Sequence, residues 1–332
     1  MTKPSCWIVT EGAAGMESQC RGLSEALGLE PVIKRVNPRL PWLALPSNWW
    51  PCPFRSLGSG SDRFAPPWPD ILISCGRKSV AIALAVKRAS RGRTFLVHVQ
   101  DPLMNTAAFD LVAAPRHDRV KGANVIVTRG ALHPVTPEKL AEAARHFRPL
   151  FAALPRPLVA VLVGGANGRD RFTPADAARI ADQLVELARR TGAGLAVTPS
   201  RRTGAEYERI LRERLKEVAA YLWDGNGENP YLGLLALSDY ILVTADSVSM
   251  ASEACATGKP VYILELAGGS KRHRNFHDEL REAGLTRPFE GRLERWSYAP
   301  LLDAEPVAAE VRRRLVLQER AKIEAEPAQN RL

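Results

Sequence analysis

Between Tyr240 and Leu264 the chain reads YILVTADSVSMASEACATGKPVYIL, and its polar residues are spaced for holding an anion. An apolar run, Tyr240 to Val243, leads through Thr244 and Asp246 into a helix pattern that Gly258 and Pro260 stop. Ser247, Ser249 and Ser252 gather hydroxyls near the helix start, where unpaired N–H groups and the positive dipole end favour negative charge. Glu253 follows one turn further in. Phosphates on the N–H groups and ribose hydroxyls on the carboxylate would make this a nucleotide site. Serine capping alone accounts easily for one hydroxyl and less easily for three.

Other clusters follow other apolar runs. Gly164, Gly165, Ala166, Asn167 and Gly168 come after Val159 to Val163, and their N–H groups suit a phosphate nest. Arg201 and Arg202 come after Leu195 to Thr198, with guanidinium forks that match a diphosphate. Trp223 and Asp224, then Glu228 and Asn229, follow the next run. In the first half, Glu11, Gly12 and Gly15 precede a helix bearing Gln19. Gly76, Arg77 and Lys78 open another, putting basic groups at a helix start. Two clusters pair an imidazole with a carboxylate: His98 with Gln100 and Asp101, and His117 with Asp118. Such pairs can take a proton from a hydroxyl. His117 and Asp118 leave a strand into a loop and are preferred as the base, with Asp101 second. A lone histidine beside a proline turn is more often structural.

These clusters need strands that end together. Strands alternate with helices nearly throughout, the signature of parallel α/β sheets. Trp7 to Thr10, Val32 to Val36, Ile71 to Ser74, Thr94 to Val99, Asp110 to Ala113 and Asn124 to Val127 read as strands of a first half. Val159 to Val163, Leu195 to Thr198, Tyr221 to Trp223, Tyr240 to Val243 and Val261 to Leu264 read as strands of a second. A helix from Pro137 to Ala153 closes the first half. LPRP (Leu154 to Pro157) reads as the linker, giving domains 1–153 and 158–295, with 296–332 a helical segment returning to the first. A chain of 332 residues suits two cores.

Three collinear motifs, VTPSRRTGAE, WDGNGENPY and TADSVSMASEACATGKPV, resemble the elongated-mitochondria (mitochondrial fission) family. The last is also similar to the donor-nucleotide segment of GT-B glycosyltransferases, as which the bacterial members of that family are regarded. HVQDP, FDLVAAPRHD, GALHPVTPE and the FHDEL to RPFEG region extend the resemblance over most of Cys6 to Pro300. It implies two Rossmann-like domains facing a cleft. The second would bind a nucleotide-diphosphate sugar through Gly164, Gly165, Asn167, Arg201, Arg202, Trp223, Asn229, Thr244, Asp246, Ser247, Ser249, Glu253 and Lys259. The first would hold an acceptor near Gly12, Gly15, Gln19, Gly76, Arg77 and Gln100, with His117, Asp118, Asp101 or Glu11 as base. The expected function is glycosyl transfer to a cell-envelope or other acceptor. A sugar-nucleotide epimerase of the same fold and a non-catalytic fission-type scaffold are the alternatives.

Composition limits the remaining choices. Five scattered cysteines without a CxxC argue against a disulfide scaffold or zinc site and for a reducing, cytoplasmic setting. No Asp-x-Asp pair is present, so no metal or cofactor is expected, and arginines, hydroxyls and helix dipoles would stabilise a diphosphate leaving group. The net charge of +10 comes without a nucleic-acid module, so no nucleic-acid partner is expected. Peripheral contact with an anionic membrane is compatible with the charge. The proline-rich stretch Pro41 to Pro69 carries Trp42, Trp49, Trp50, Phe54, Phe64 and Trp68. These aromatics either form an acceptor-binding or membrane-touching rim or tuck beneath the loop and pin it.

Overall fold

The computed structural model describes residues 3–165, 172–267 and 270–329, so Asn167 lies outside the described residues. In chain order the first elements are β1 (Cys6–Thr10), α1 (Ala14–Ala26), β2 (Pro31–Arg35), β3 (Ile71–Cys75), α2 (Arg77–Ala89), β4 (Phe95–Val99), β5 (Leu111–Pro115) and β6 (Val125–Thr128). They form a six-stranded sheet in the order β2-β1-β3-β4-β5-β6, parallel throughout. β1, β3, β4 and β5 are buried at every position, as strands covered on both faces must be.

The chain continues through α3 (Pro137–Phe151), β7 (Leu158–Val163), α4 (Pro174–Thr191), β8 (Gly194–Pro199), α5 (Ala205–Leu215), β9 (Ala220–Leu222), α6 (Tyr231–Leu237), β10 (Tyr240–Thr244), α7 (Val248–Cys255), β11 (Val261–Leu264), α8 (Lys271–Glu282) and β12 (Thr286–Pro288). This second sheet runs β12-β11-β10-β7-β8-β9 and is also parallel. Counted from β7, its order is that of a dinucleotide-binding sheet read from one edge. The last element is α9 (Ala304–Gln329).

The chain divides into 1–134 with 303–332, and 135–302. The division thus falls at 134/135, not at the 154–157 linker expected from the sequence. The reason is α3: Leu140, Ala144 and Phe147 pack with Leu234, Leu235 and Leu237 in the core of the second unit, and Phe147 lies against Gly233. The four-residue LPRP segment therefore joins two elements of one unit. In α9, Ala304, Val307, Ala308 and Val311 are buried with Cys20 and Leu23 of α1, which assigns the helix to the first unit.

Candidate functional site

In an open parallel sheet a ligand crevice forms beyond the carboxyl ends of strands, where neighbouring connections diverge to opposite faces. In the second unit that point lies between β7 and β10. Thr244 ends β10, and its hydroxyl accepts from the Gly164 N–H at 2.7 Å and donates to Asp246 Oδ1 at 2.7 Å. Asp246 Oδ2 accepts from the Gly165 N–H at 2.9 Å and from Arg202 Nη2 at 3.1 Å. Arg202 also donates to the Gly165 carbonyl at 3.0 Å. The Asp246 side chain is 0% exposed. This is an internally paired knot of charge beneath the loop.

The glycine pair acquires a different meaning. A Cβ on Gly164 would sit 2.1 Å from Asp246 Oδ2, and one on Gly165 would sit 2.1 Å from the Arg202 carbonyl oxygen. Both glycines are required by the protein's own close packing. Their N–H groups, expected to cradle phosphate, point at Thr244 and Asp246.

α7 begins beside this knot. Ser247 caps it, accepting from the Met250 N–H at 3.3 Å, and Ser252 donates back to the Val248 carbonyl at 2.9 Å. Ser249 is half-buried. Glu253 is buried and accepts a 2.5 Å hydrogen bond from the Tyr231 hydroxyl of α6. Burial and the Glu253 carboxylate push the Tyr231 phenol well above its ordinary pKa, so it remains a donor. Arg201 is exposed and makes no ion pair among the described residues. Trp223 donates to the Asn226 carbonyl, and Asn229 accepts from the Tyr231 N–H at the start of α6.

Lys259 does not join this group. It precedes β11 and so lies on the opposite edge of the sheet, where its ammonium donates to the Leu235 and Ala236 carbonyls at 2.8 and 2.6 Å. These carbonyls belong to the last turn of α6, which a cation satisfies well. Burial lowers its pKa to about 8. The donor role expected for it gives way to a helix-capping one.

In the first unit the corresponding divergence lies between β1 and β3. Glu11 Oε1 accepts from the Lys78 N–H at 3.0 Å, in the first turn of α2, and Glu11 Oε2 pairs with the Lys78 ammonium at 3.1 Å. The anion position at this helix start is therefore held by the chain's own carboxylate. Gly12 and Gly76 have φ of +83° and +91°. Gln19 donates to the Gly15 carbonyl and accepts from Gln100, which brings three of the expected acceptor-side residues together. Arg77 is exposed and donates to the Leu45 carbonyl at 3.4 Å.

The proposed base fares less well. His117 Nε2 lies 3.4 Å from Asp118 Oδ1, but both side chains are 1% exposed. The PRHD segment turns inward, contrary to the expectation that it would present them to a substrate. Asp118 also accepts from the Asp101 N–H at 3.3 Å, which ties the ends of β4 and β5 together. His98 is fully buried beside Ser74, and burial drives its pKa down to about 3, so it is neutral near pH 7. Asp101 and Glu11 remain partly accessible.

Several residues here carry no simple signal in the sequence. Thr203 is buried, and its hydroxyl donates to the Val163 carbonyl at 3.1 Å, anchoring the arginine pair to β7. His277 of α8 lies 2.8 Å from the Ala245 carbonyl. Asp176 accepts from the Ala267 N–H at 3.2 Å. Burial opposes ionisation of Asp176, yet hydrogen bonds from Thr173, Ala267 and Arg179 hold its pKa below the ordinary value. Tyr231 meets Glu253 across 22 residues of sequence, a pairing that motif spacing does not reveal. Among the described residues no cluster of three His, Cys, Asp or Glu side chains is placed to hold a metal ion.

Comparison with known proteins agrees with this architecture. The fold is similar to a UDP-GlcNAc 2-epimerase from Methanocaldococcus jannaschii, with a TM-score of 0.56 at 13% identity, covering 92% of this chain and 99% of that one. It is also similar to a UDP-glucosyltransferase from Polygonum tinctorium, with a TM-score of 0.50 at 12% identity, covering 87% and 85%. These likenesses establish a GT-B type of fold. In sequence the chain is 35% identical over 274 residues to the mitochondrial fission protein ELM1 of Arabidopsis thaliana, covering 74% of this chain and 64% of that protein's length. It is 27% identical over 280 residues to an uncharacterised protein of Rickettsia prowazekii (strain Madrid E), covering 72% and 78%. The family model described as mitochondrial fission ELM1 matches residues 14–315, so the chain belongs to the mitochondrial fission ELM1 family.

Proposed function

We propose that this protein binds a nucleotide-diphosphate sugar at the carboxyl edge of its second sheet and transfers the sugar to an acceptor without a metal. The observation that carries this reading is the start of α7. A buried carboxylate, Glu253, is fixed there by Tyr231 one turn from the serine-lined N-terminus, and Arg201, which makes no ion pair among the described residues, follows β8, the second strand over from β10. A carboxylate held in place can accept from ribose hydroxyls, while helix N–H groups and an arginine receive the diphosphate. The solved neighbours include an epimerase in complex with UDP-GlcNAc and UDP, a ligand class that fits such a site. In unit 1, Asp101 becomes the proposed base, because His117 is sealed and Glu11 is held by Lys78. The five free cysteines, four of them buried, fit a reducing cytoplasm, with the acceptor at the cell envelope.

Calorimetry with nucleoside diphosphates and the matching nucleosides tests this reading. Glu253→Gln should weaken both by about 1.5–3 kcal/mol, the worth of a charge-assisted hydrogen bond. Arg201→Ala should weaken the diphosphate alone. Equal affinities for parent and both variants would remove the site.

The sealed His117–Asp118 pair favours a second reading, a fission-type scaffold that binds nucleotide without turnover. Donor hydrolysis that disappears in Asp101→Asn speaks for transfer. Donor binding with no turnover by the parent speaks for the scaffold. Sugar-nucleotide epimerisation would show as product formed with no acceptor present.

A further inference from the structure

The proline-rich stretch after β2 resolves into three 3-10 turns, Trp42–Ala44, Ser47–Trp49 and Pro53–Ser56, the last two laid across α2. Its large apolar side chains include a buried set and an exposed set. Phe54, Phe64 and Trp68 pack with the buried Trp7, with ring centroids 6.0–6.3 Å apart, and Trp50 is buried with its indole N–H on the Leu45 carbonyl. This set pins the strap. The other set points outward: Leu40 is 71% exposed, Trp49 68% and Leu43 37%. Three of the ten exposed large apolar side chains among the described residues thus fall within ten consecutive positions.

The chain around them carries an excess of positive charge, although Glu17 pairs with Arg35. From Pro31 to Ser61 the chain holds four cations and no carboxylate, and α2 beneath the strap likewise contains Arg77, Lys78, Lys87 and Arg88 without an acid. Lys78 and Lys87 are neutralised by Glu11 and Asp110. Arg39, Arg55, Arg77 and Arg88 have no ion pair among the described residues. A depression of about 560 Å³ opens between strap and helix, lined by Trp50, Phe54, Arg55, Ala85 and Arg88 among others. It offers two guanidinium groups above aromatic walls.

We propose that this strap is the surface by which the protein docks on an anionic lipid bilayer. Leu40, Leu43 and Trp49 enter the headgroup boundary, and Arg55 and Arg88 take a lipid phosphate. An indole suits that boundary because its ring is apolar and its N–H is polar. The four arginines without an ion pair among the described residues supply the attraction that three small apolar contacts could not provide alone. Ser47 donates to the Arg77 carbonyl at 3.1 Å, so the strap reaches the carboxyl edge of the first sheet. A bilayer-borne acceptor would arrive at that edge. The docking itself does not rest on the glycosyltransferase reading and can hold if that reading fails.

The test uses flotation of the full chain with vesicles of phosphatidylcholine alone or with phosphatidylglycerol added. Binding should require phosphatidylglycerol and weaken with salt. Arg55→Gln and Arg88→Gln should each weaken it about fivefold, taking about 1 kcal/mol per cation near an anionic surface. The triple variant Leu40→Ser, Leu43→Ser, Trp49→Ser should lose binding while keeping the parent's melting temperature, since all three side chains are exposed. Failure to bind either vesicle would overturn the proposal, as would equal binding by parent and variants. So would a parent dimer in sedimentation that the triple variant dissolves, since a second copy would then cover the patch.

Discussion

The two sheets diverge at similar points, and each has a carboxylate of its own at that place, but the two carboxylates do different work. In the first unit Glu11 lies on the start of α2, pairs with Lys78 and stays partly open to solvent. In the second, Asp246 is sunk beneath the glycine loop, bound by Gly165, Thr244 and Arg202, with its side chain fully covered. The first carboxylate occupies the anion position. The second braces the loop from below and leaves the start of α7 and Arg201 above it available. The difference explains why one of two like-built units is the better candidate for binding phosphates.

Glycine substitutions should break this contrast most sharply. Gly165→Ala drives a methyl into the Arg202 backbone, which cannot move without moving β8, and should cost about 3 kcal/mol or more. Gly12→Ala meets only the flexible Arg35 side chain at 3.3 Å, so its cost is that of a positive φ, about 1 kcal/mol. Denaturant unfolding of the two variants measures both. Equal losses would mean that the second loop is no more tightly built than the first.

Asp246→Asn should come next, at about 2 kcal/mol. It breaks a covered ion pair, but Arg202 is partly exposed and recovers some hydration. Glu11→Gln should cost less than 1 kcal/mol, since its lysine partner remains in water. A larger loss for Glu11→Gln than for Asp246→Asn would reverse the comparison.

A further effect, read as a slope rather than as a loss at one pH, distinguishes the units. His98 titrates near 3 when folded and near 6.5 when unfolded, so between those values the unfolded chain binds more protons and stability falls as pH is lowered. Lys259 titrates near 8 when folded and near 10.5 when unfolded, so stability rises with pH across that window. Each slope is bounded by one proton, a tenfold change in the folding constant per pH unit. His98→Gln should flatten the acid slope alone, and Lys259→Met the alkaline one. An unchanged acid slope in His98→Gln would mean that other groups set it.

Much of the architecture was legible because buried parallel strands are continuous apolar runs, as in LVAVLV and YILVT. Five of the six second-unit strands were found; β12, with only Thr286, Arg287 and Pro288, gives no such run. Helix α3 was assigned to the wrong unit because amphipathicity reveals that a face is buried, not against what, and its partner α6 begins 80 residues after Phe151. The same ignorance of three-dimensional neighbours misplaced Lys259. It follows a motif residue by sequence but lies across the sheet in space. The glycine pair stands out in the sequence, yet what demands it is the Asp246 side chain against Gly164 and the Arg202 backbone against Gly165, neighbours that the sequence does not show. His117 was expected to be open because a loop of polar residues usually is, whereas here the turn folds its side chains inward.

The passage of the chain out of the first unit and back again sets an order of assembly. Residues 135–302 form an unbroken stretch, whereas the first unit lacks Ala304, Val307, Ala308 and Val311 until that stretch has been made. During synthesis the apolar groove beside Cys20 and Leu23 therefore waits, open to solvent, through the production of an entire second unit. Contacts between α1 and α9 span almost 300 residues, the costliest kind of closure for a folding chain. Of these two units the one begun first is the last to be completed, and a chain cut before α9 should expose an apolar surface prone to aggregation.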